Sequence, residues 1–227
     1  MKKTFLTVFL LLFCVSNAHA VLLFSDDFTS GANAAWGNEA GNWSASSGVY
    51  SASSLNNGSS LTYSSVTSLS SLTDFKVDVD VQTLDDSGIW LRSTDNNNGV
   101  LLVLGGFGGS FQGMYWHEIQ GGTISSALNA VVIGSVQGTN GHVTVNVVGN
   151  TYNAYWNNTL VTTLNSSAFS SGKVALYDNS PVTTYDNVAI SNFLPAADQR
   201  GSSVPEPATI ALFASGLAGM AVRRRKR

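Results

Sequence analysis

Between residues 21 and 194 the chain carries twelve carboxylates, two histidines and no cysteine, and these limit its chemistry. Cleaving a glycosidic bond takes two carboxyl groups across that bond, one of them with a raised pKa. Glu39 and Glu118 are the only glutamates of the segment, and neither has an acidic partner spaced for that task. Asp78 and Asp80 share a strand face, but that face reads as solvated. A serine nucleophile needs a positioned histidine. Ser110 follows Gly108 and Gly109, but Gln112 stands where a nucleophile elbow needs glycine. His117 and His142 lack the paired spacing of a zinc site and read as structural or surface residues. The glycines at 105, 106, 108 and 109 are followed by no Lys-Ser/Thr and open no helix, so they are not a phosphate loop.

Binding fits these residue types better than catalysis. A sugar presents apolar C–H faces that stack on aromatic rings, and hydroxyls that bond polar side chains. Strand alternation puts Trp90 and Arg92 on the face opposite Ile89 and Leu91, and Tyr115 and His117 on one face of a Met114–Ile119 strand. Together Trp90, Arg92, Tyr115 and His117 would make a shallow glycan platform. Against this stands the usual fate of large aromatics, which is to fill a core. Calcium is a second candidate, because it takes several hard oxygens in a flexible geometry. Asp26, Asp27 and Asp186, on segments near the two ends of the domain, are the expected ligands, and Asp85, Asp86 and Asp95 flank one hairpin as a second group. Their spacing is not diagnostic, and turn-capping aspartates are the simpler account.

The elements that must hold these residues read as strands. Phe75-Lys76-Val77-Asp78-Val79-Asp80-Val81-Gln82 alternates strictly, the mark of a half-buried strand with one wet face. A turn is expected at Asp85-Asp86-Ser87, with strands at Gly88–Arg92, Val100–Leu104, Met114–Ile119 and Val131–Val136. Val143–Val147 and Tyr152–Trp156 form a hairpin through Gly149-Asn150. Asn157-Asn158 then leads to Leu160–Leu164. Lys173–Tyr177 and Tyr185–Phe193 complete the set. The segment is rich in Ser, Thr, Asn and Gly, poor in Lys, Glu and Arg, and shows no helical period. An all-β antiparallel sandwich follows.

Both ends of the chain differ from this middle. Met1-Lys2-Lys3, an apolar run from Phe5 to Val15 and a small-x-small site ending at Ala20 read as a signal peptide cleaved before Val21. Cys14, the only cysteine, lies within it, so the exported segment has no disulfide. A linker at 195–204 leads to Pro205-Glu206-Pro207, a short apolar stretch at 208–222 and Arg223-Arg224-Arg225-Lys226-Arg227. The stretch falls a little short of the roughly 17 to 25 residues of an ordinary membrane helix. Snorkelling side chains and local bilayer thinning accommodate that deficit. The basic end belongs on the cytoplasmic side of the inner membrane, with the body outside. The body holds three basic side chains (Lys76, Arg92 and Lys173) against its twelve acidic ones, a net of −9. That balance argues against a nucleic-acid partner.

Val204-Pro205-Glu206-Pro207, the apolar stretch with Gly216 and Gly219, and the arginine run resemble the PEP-CTERM sorting signal. The resemblance covers residues 204–227. It implies processing by exosortase, a membrane protease-transpeptidase, in a Gram-negative bacterium that makes exopolysaccharide or biofilm. The body resembles the concanavalin A-like, or laminin-G-like, jelly roll. The residues that carry the likeness are Phe24-Ser25-Asp26-Asp27-Phe28, Gly41-Asn42-Trp43, Gly48-Val49-Tyr50, Ser87–Arg92, the Val143–Trp156 hairpin, Gly172–Tyr177 and Tyr185-Asp186-Asn187-Val188. That family mostly binds glycans or proteins, and some members cleave glycans. The laminarinase-type Glu-x-Asp-x-x-Glu strand is absent here. The expectation is an exported surface or matrix protein, non-catalytic and polysaccharide-binding. The alternatives are a glycan-acting hydrolase and a structural matrix component.

Overall fold

Alternation of apolar and polar residues at period two gives a strand one dry and one wet face, and it governs most of this molecule. The computed structural model describes residues 20–55, 61–106 and 110–192. Its strands are β1 (Leu22–Asp26), β2 (Trp43–Ser46), β3 (Val49–Ala52), β4 (Ser64–Ser65), β5 (Phe75–Gln82), β6 (Asp86–Asp95), β7 (Asn98–Gly105), β8 (Gly113–Gln120), β9 (Thr123–Ile124), β10 (Leu128–Val132), β11 (Gly141–Val148), β12 (Thr151–Trp156), β13 (Thr159–Asn165), β14 (Lys173–Asp178) and β15 (Thr184–Asn192). There is no helix among the described residues.

Two antiparallel sheets result. An eight-stranded sheet runs β13-β12-β11-β5-β15-β3-β2, with β1 also paired to β15. A seven-stranded sheet runs β10-β8-β7-β6-β14-β4, with β9 paired to β8. Between them lies the main core, where Val77, Val79, Val143 and Val145 of one sheet share a cluster with Ile89, Leu102, Trp116 and Leu176 of the other. Trp116 brings its indole N–H to Thr162 Oγ1 at 3.2 Å, so its polar atom is satisfied inside that core.

β5 buries every second residue, as its alternation requires. β12 and β13 meet through Asn157 and Asn158, both at positive φ (48° and 66°), the backbone a two-residue hairpin turn needs. Two boundaries differ from the sequence expectation. Asp86 and Ser87 are the first residues of β6 rather than a turn; the chain reverses before them, with Thr83 at φ 51°. The strand expected at Val131–Val136 sits earlier, as β10. Val136 and Gln137 instead donate their backbone N–H groups to Gln112 Oε1, which fastens that stretch as a loop.

Residues Ala20–Phe193 form one compact unit. The expected signal peptide lies outside the described residues except for Ala20, and so do the 195–204 linker and the sorting tail with Pro205, Glu206, Pro207, Arg223, Arg224 and Arg225. Among the described residues no helix is long and apolar enough to cross a membrane.

Candidate functional site

The seven-stranded sheet is apolar on both faces. β6 and β7 bury nearly every residue. Their alternate positions feed two clusters. Ile89, Leu91, Val100, Leu102 and Leu104 point to the main core. Trp90, Leu101 and Val103 join Tyr115 and Ile119 of β8 and Ala175 and Tyr177 of β14 in a second cluster on the outward face. The segment Leu61–Tyr63 roofs part of it: Thr62 carbonyl accepts from the Trp90 indole N–H at 3.2 Å, and Tyr63 meets Trp90 edge-on at 5.7 Å.

Where that roof ends, a pocket of ≈ 290 Å³ opens on the sheet. Leu101 and Val103 form its apolar part, Tyr115, His117 and Tyr177 contribute aromatic walls, and Asp86 and Asn179 supply polar groups. Tyr115 is held between two rings, with Phe111 at 5.3 Å and His117 at 5.2 Å, both edge-on. Gly106 (φ 90°) leaves room for the phenol: a Cβ there would stand 2.3 Å from Tyr115 Oη. Aromatic walls with a few placed polar groups are the usual make-up of a ligand site.

The protonation states suit neutral hydrogen bonding. Burial, reinforced by the Asp86 charge, pushes the Tyr115 hydroxyl up to about 12, so it stays a phenol. Burial also lowers the His117 imidazole below its ordinary value, against hydrogen bonds to Ser125 and Ser126 that raise it. His117 Nδ1 lies 2.7 Å from the Ser125 carbonyl. A carbonyl can only accept, so Nδ1 carries the proton and Nε2 of the neutral ring is an acceptor. Asn179 Nδ2 donates to Asp86 Oδ2 at 3.1 Å, which orients that carboxylate.

Of the four residues expected to form the platform, Tyr115 and His117 line this pocket and Trp90 and Arg92 do not. Trp90 is on the expected face but fully buried under Leu61–Tyr63. Arg92 is not on that face at all. A bulge shifts the register of β6 between Leu91 and Asp95, with Arg92 at φ 47°, and this reverses the alternation. Its guanidinium turns inward, where Nε and Nη2 reach the Thr73 carbonyl at 3.1 and 2.6 Å and Nη1 reaches the Phe169 carbonyl at 3.0 Å. The group also stacks over Tyr152, 5.3 Å from the ring centre. Gly172 accommodates the bulge, since a Cβ there would lie 2.3 Å from the Arg92 carbonyl carbon. Asp86, Tyr177, Asn179 and Leu61 line the pocket without having been expected there. In the sequence Asp86 reads as part of a turn, and a roofing segment leaves no periodic signal.

Each of the three aspartates expected to bind calcium accepts hydrogen bonds from neighbouring groups. Asp26 accepts from Phe28 N (3.0 Å), Asn33 N (2.7 Å) and Trp36 Nε1 (2.9 Å), which occupies both its oxygens. Asp27 caps Thr29 through N–H and hydroxyl, and these bonds lower its pKa. Asp186 Oδ1 accepts from Asn187 N at 2.7 Å. A shallow pocket near them is lined by Asp26, Asp27 and Asn187, without Asp186. Among the described residues no three His, Cys, Asp or Glu side chains gather as a metal site.

Residues 203–226 match the family model of the PEP-CTERM protein-sorting motif. The chain is a carrier of that sorting signal. The PEP-CTERM motif is that of an exported protein sorted by exosortase to the cell surface. None of the curated proteins matches the chain in sequence. The fold of the body is shared with solved structures at low identity. It resembles the carbohydrate-binding module CBM66 from Bacillus subtilis with 17% identity, TM-score 0.52, and coverage of 70% of this chain and 92% of that one. A Bacillus licheniformis β-glucanase matches with 12% identity, TM-score 0.52, and coverage of 79% and 100%. LamAcat from Zobellia galactanivorans matches with 13% identity, TM-score 0.52, and coverage of 75% and 97%. These likenesses show the fold alone, an antiparallel β-sandwich of the jelly-roll kind.

Proposed function

We propose that the body of this exosortase-sorted protein is a non-catalytic polysaccharide-binding module, and that its glycan sits in the pocket walled by Tyr115, His117 and Tyr177. The observation that carries the reading is the pocket itself: aromatic rings beside Asp86, Asn179 and the acceptor nitrogen of His117 match the two faces of a sugar ring. The sorting motif and the likeness to a carbohydrate-binding module agree with it. At the surface of the cell, such a module would tie its carrier to exopolysaccharide or biofilm matrix. Signal-peptide export and a tail inserted at 208–222 complete this picture.

A glycan-cleaving role needs a second carboxyl group across the bond. Asp86 is the one carboxylate that lines the pocket among the described residues. Asp178 lies close enough to feel its charge, but both Asp178 oxygens accept backbone N–H groups, from Ser180 at 3.0 Å and Ala52 at 3.3 Å, and the residue is fully buried. The test is a glycan array probed with the full-length chain and with Tyr115→Ala. Binding in the wild type, weakened at least tenfold in the variant, is expected. Release of shortened sugars from any bound glycan would overturn the non-catalytic reading. Tight binding untouched by Tyr115→Ala would move the site elsewhere.

A further inference from the structure

Charge around the pocket is distributed in one direction. The body's net charge is −9, and its three basic side chains all lie away from the pocket lining. Lys76 stands on the outward face of the other sheet, 2.8 Å from Asp78. Arg92 is turned between the sheets. Lys173 faces Glu39 at 3.9 Å. The two internal segments outside the described residues, 56–60 and 107–109, contain only Asn, Gly, Ser and Phe. At the pocket, by contrast, Asp86 is part of the lining. Its chain neighbour Asp85 accepts a hydrogen bond from Ser180 Oγ at 2.9 Å.

We infer that this pocket selects its glycan by charge, taking uncharged sugars and rejecting those that carry carboxylate or sulfate. The inference rests on the glycan-binding reading above and adds a substrate class to it. An acidic sugar entering here loses hydration and meets a carboxylate in a partly desolvated site, so both effects oppose binding. Asn179 donates a neutral amide hydrogen bond to Asp86, which orients the carboxylate and leaves it a carboxylate. An uncharged sugar meets the same carboxylate as an acceptor for its hydroxyls, a charge-assisted bond that favours binding. The domain's summed negative field adds a slower approach for polyanions. Specificity then comes from repulsion of the wrong ligand as much as from attraction of the right one.

The experiment is an array that sets neutral glucans, fructans, mannans and xylans beside polyuronates and sulfated galactans, probed with the full-length chain. Neutral polymers should dominate, with acidic ones of similar backbone bound at least tenfold more weakly. Asp86→Asn should narrow that gap severalfold. Ile124→Lys adds a cation at the pocket rim, where Ile124 is 41% exposed. It should narrow the gap in the same direction even if Asp86→Asn proves too damaging to fold. A polyuronate or sulfated galactan bound as tightly as its neutral counterpart, with loss in Tyr115→Ala, would overturn the inference while leaving the glycan-binding reading intact. Charge selection is equally refuted if both charge variants leave the discrimination unchanged. A folded protein that binds no polymer of either kind removes the glycan-binding reading, and this inference with it.

Discussion

On the eight-stranded sheet, the outward positions of β5 and β11 carry Lys76, Asp78, Asp80, His142 and Thr144. On the seven-stranded sheet, the outward positions of β7 and β8 carry Leu101, Val103, Tyr115, His117 and Ile119. The first set forms a hydrated ladder: His142 Nδ1 lies 2.7 Å from Asp80 Oδ1, Thr144 Oγ1 donates to Asp78 at 2.7 Å, and Asn187 Nδ2 donates to Asp80 at 2.9 Å. The second set is a small core of its own, partly roofed and partly open as a pocket. The same strand geometry thus ends in a solvated surface on one side and a candidate recognition surface on the other. What differs is only which residues occupy every second position. A sheet that needs one buried face for stability gains a second apolar face only when another segment or a ligand covers it.

Removing the floor of the second cluster tests that contrast most severely. Trp90 is fully buried, and its indole N–H is bonded to Thr62 carbonyl. Trp90→Ala should cost about 3–5 kcal/mol in urea unfolding, the range for a large buried aromatic. It should also loosen the Leu61–Tyr63 roof and weaken glycan binding. A loss under about 1 kcal/mol, the size expected of a surface substitution, would mean that the outward face is not a core, and the comparison between the sheets would fail.

How far these two faces can be read in the sequence follows the same division. The β5 alternation of Val77, Val79 and Val81 with Asp78 and Asp80 names its wet face outright, because only one side is covered. Val100–Leu104 reads as a strand, but its continuous apolar run hides which side meets the main core and which meets the second cluster. Tyr115 and His117 are legible because two aromatic or polar groups at a spacing of two must share a face. Arg92 is not, because a bulge breaks that rule, and the positive φ of an arginine has no compositional mark as a glycine would. Asp86 and Asn179 reach the pocket through pairing of β6 with β14, a contact between residues far apart in sequence. The sorting motif, by contrast, is legible because its parts are contiguous in the sequence.

A second test bears on the acid end of the seven-stranded sheet. Burial holds the Asp178 carboxyl up at about 7, with the amides of Ser180 and Ala52 opposing and the charges of Asp86 and Asp85 adding to it. Its folded pKa thus stands above the ordinary 3.8, so folding favours the protonated acid. The stability this group contributes is full below about 4 and is lost as the pH rises through about 7. Melting temperatures measured from about pH 4 to about pH 8 should therefore decline for the wild type across that window. Asp178→Asn cannot ionise and should give a shallower decline. Parallel profiles for the two proteins would show that Asp178 ionises freely and that this end of the sheet is as hydrated as the other sheet's outward face.

The smallest expected effect belongs to the ladder itself. His142 bridges Asp80 and Asp78, the latter at 3.4 Å from Nε2, on a face where its side chain is 37% exposed. Exposed side-chain contacts of this kind are worth about 0–1 kcal/mol, because water screens them and two side chains must be held still. His142→Ala should therefore change unfolding free energy by less than about 1 kcal/mol and leave the Tyr115-dependent glycan affinity unchanged. Both quantities are read from the same purified variant, by urea titration and by binding to the glycan that the array selects. If affinity falls while stability holds, the hydrated sheet takes part in recognition, and the sandwich binds polysaccharide with two faces instead of one.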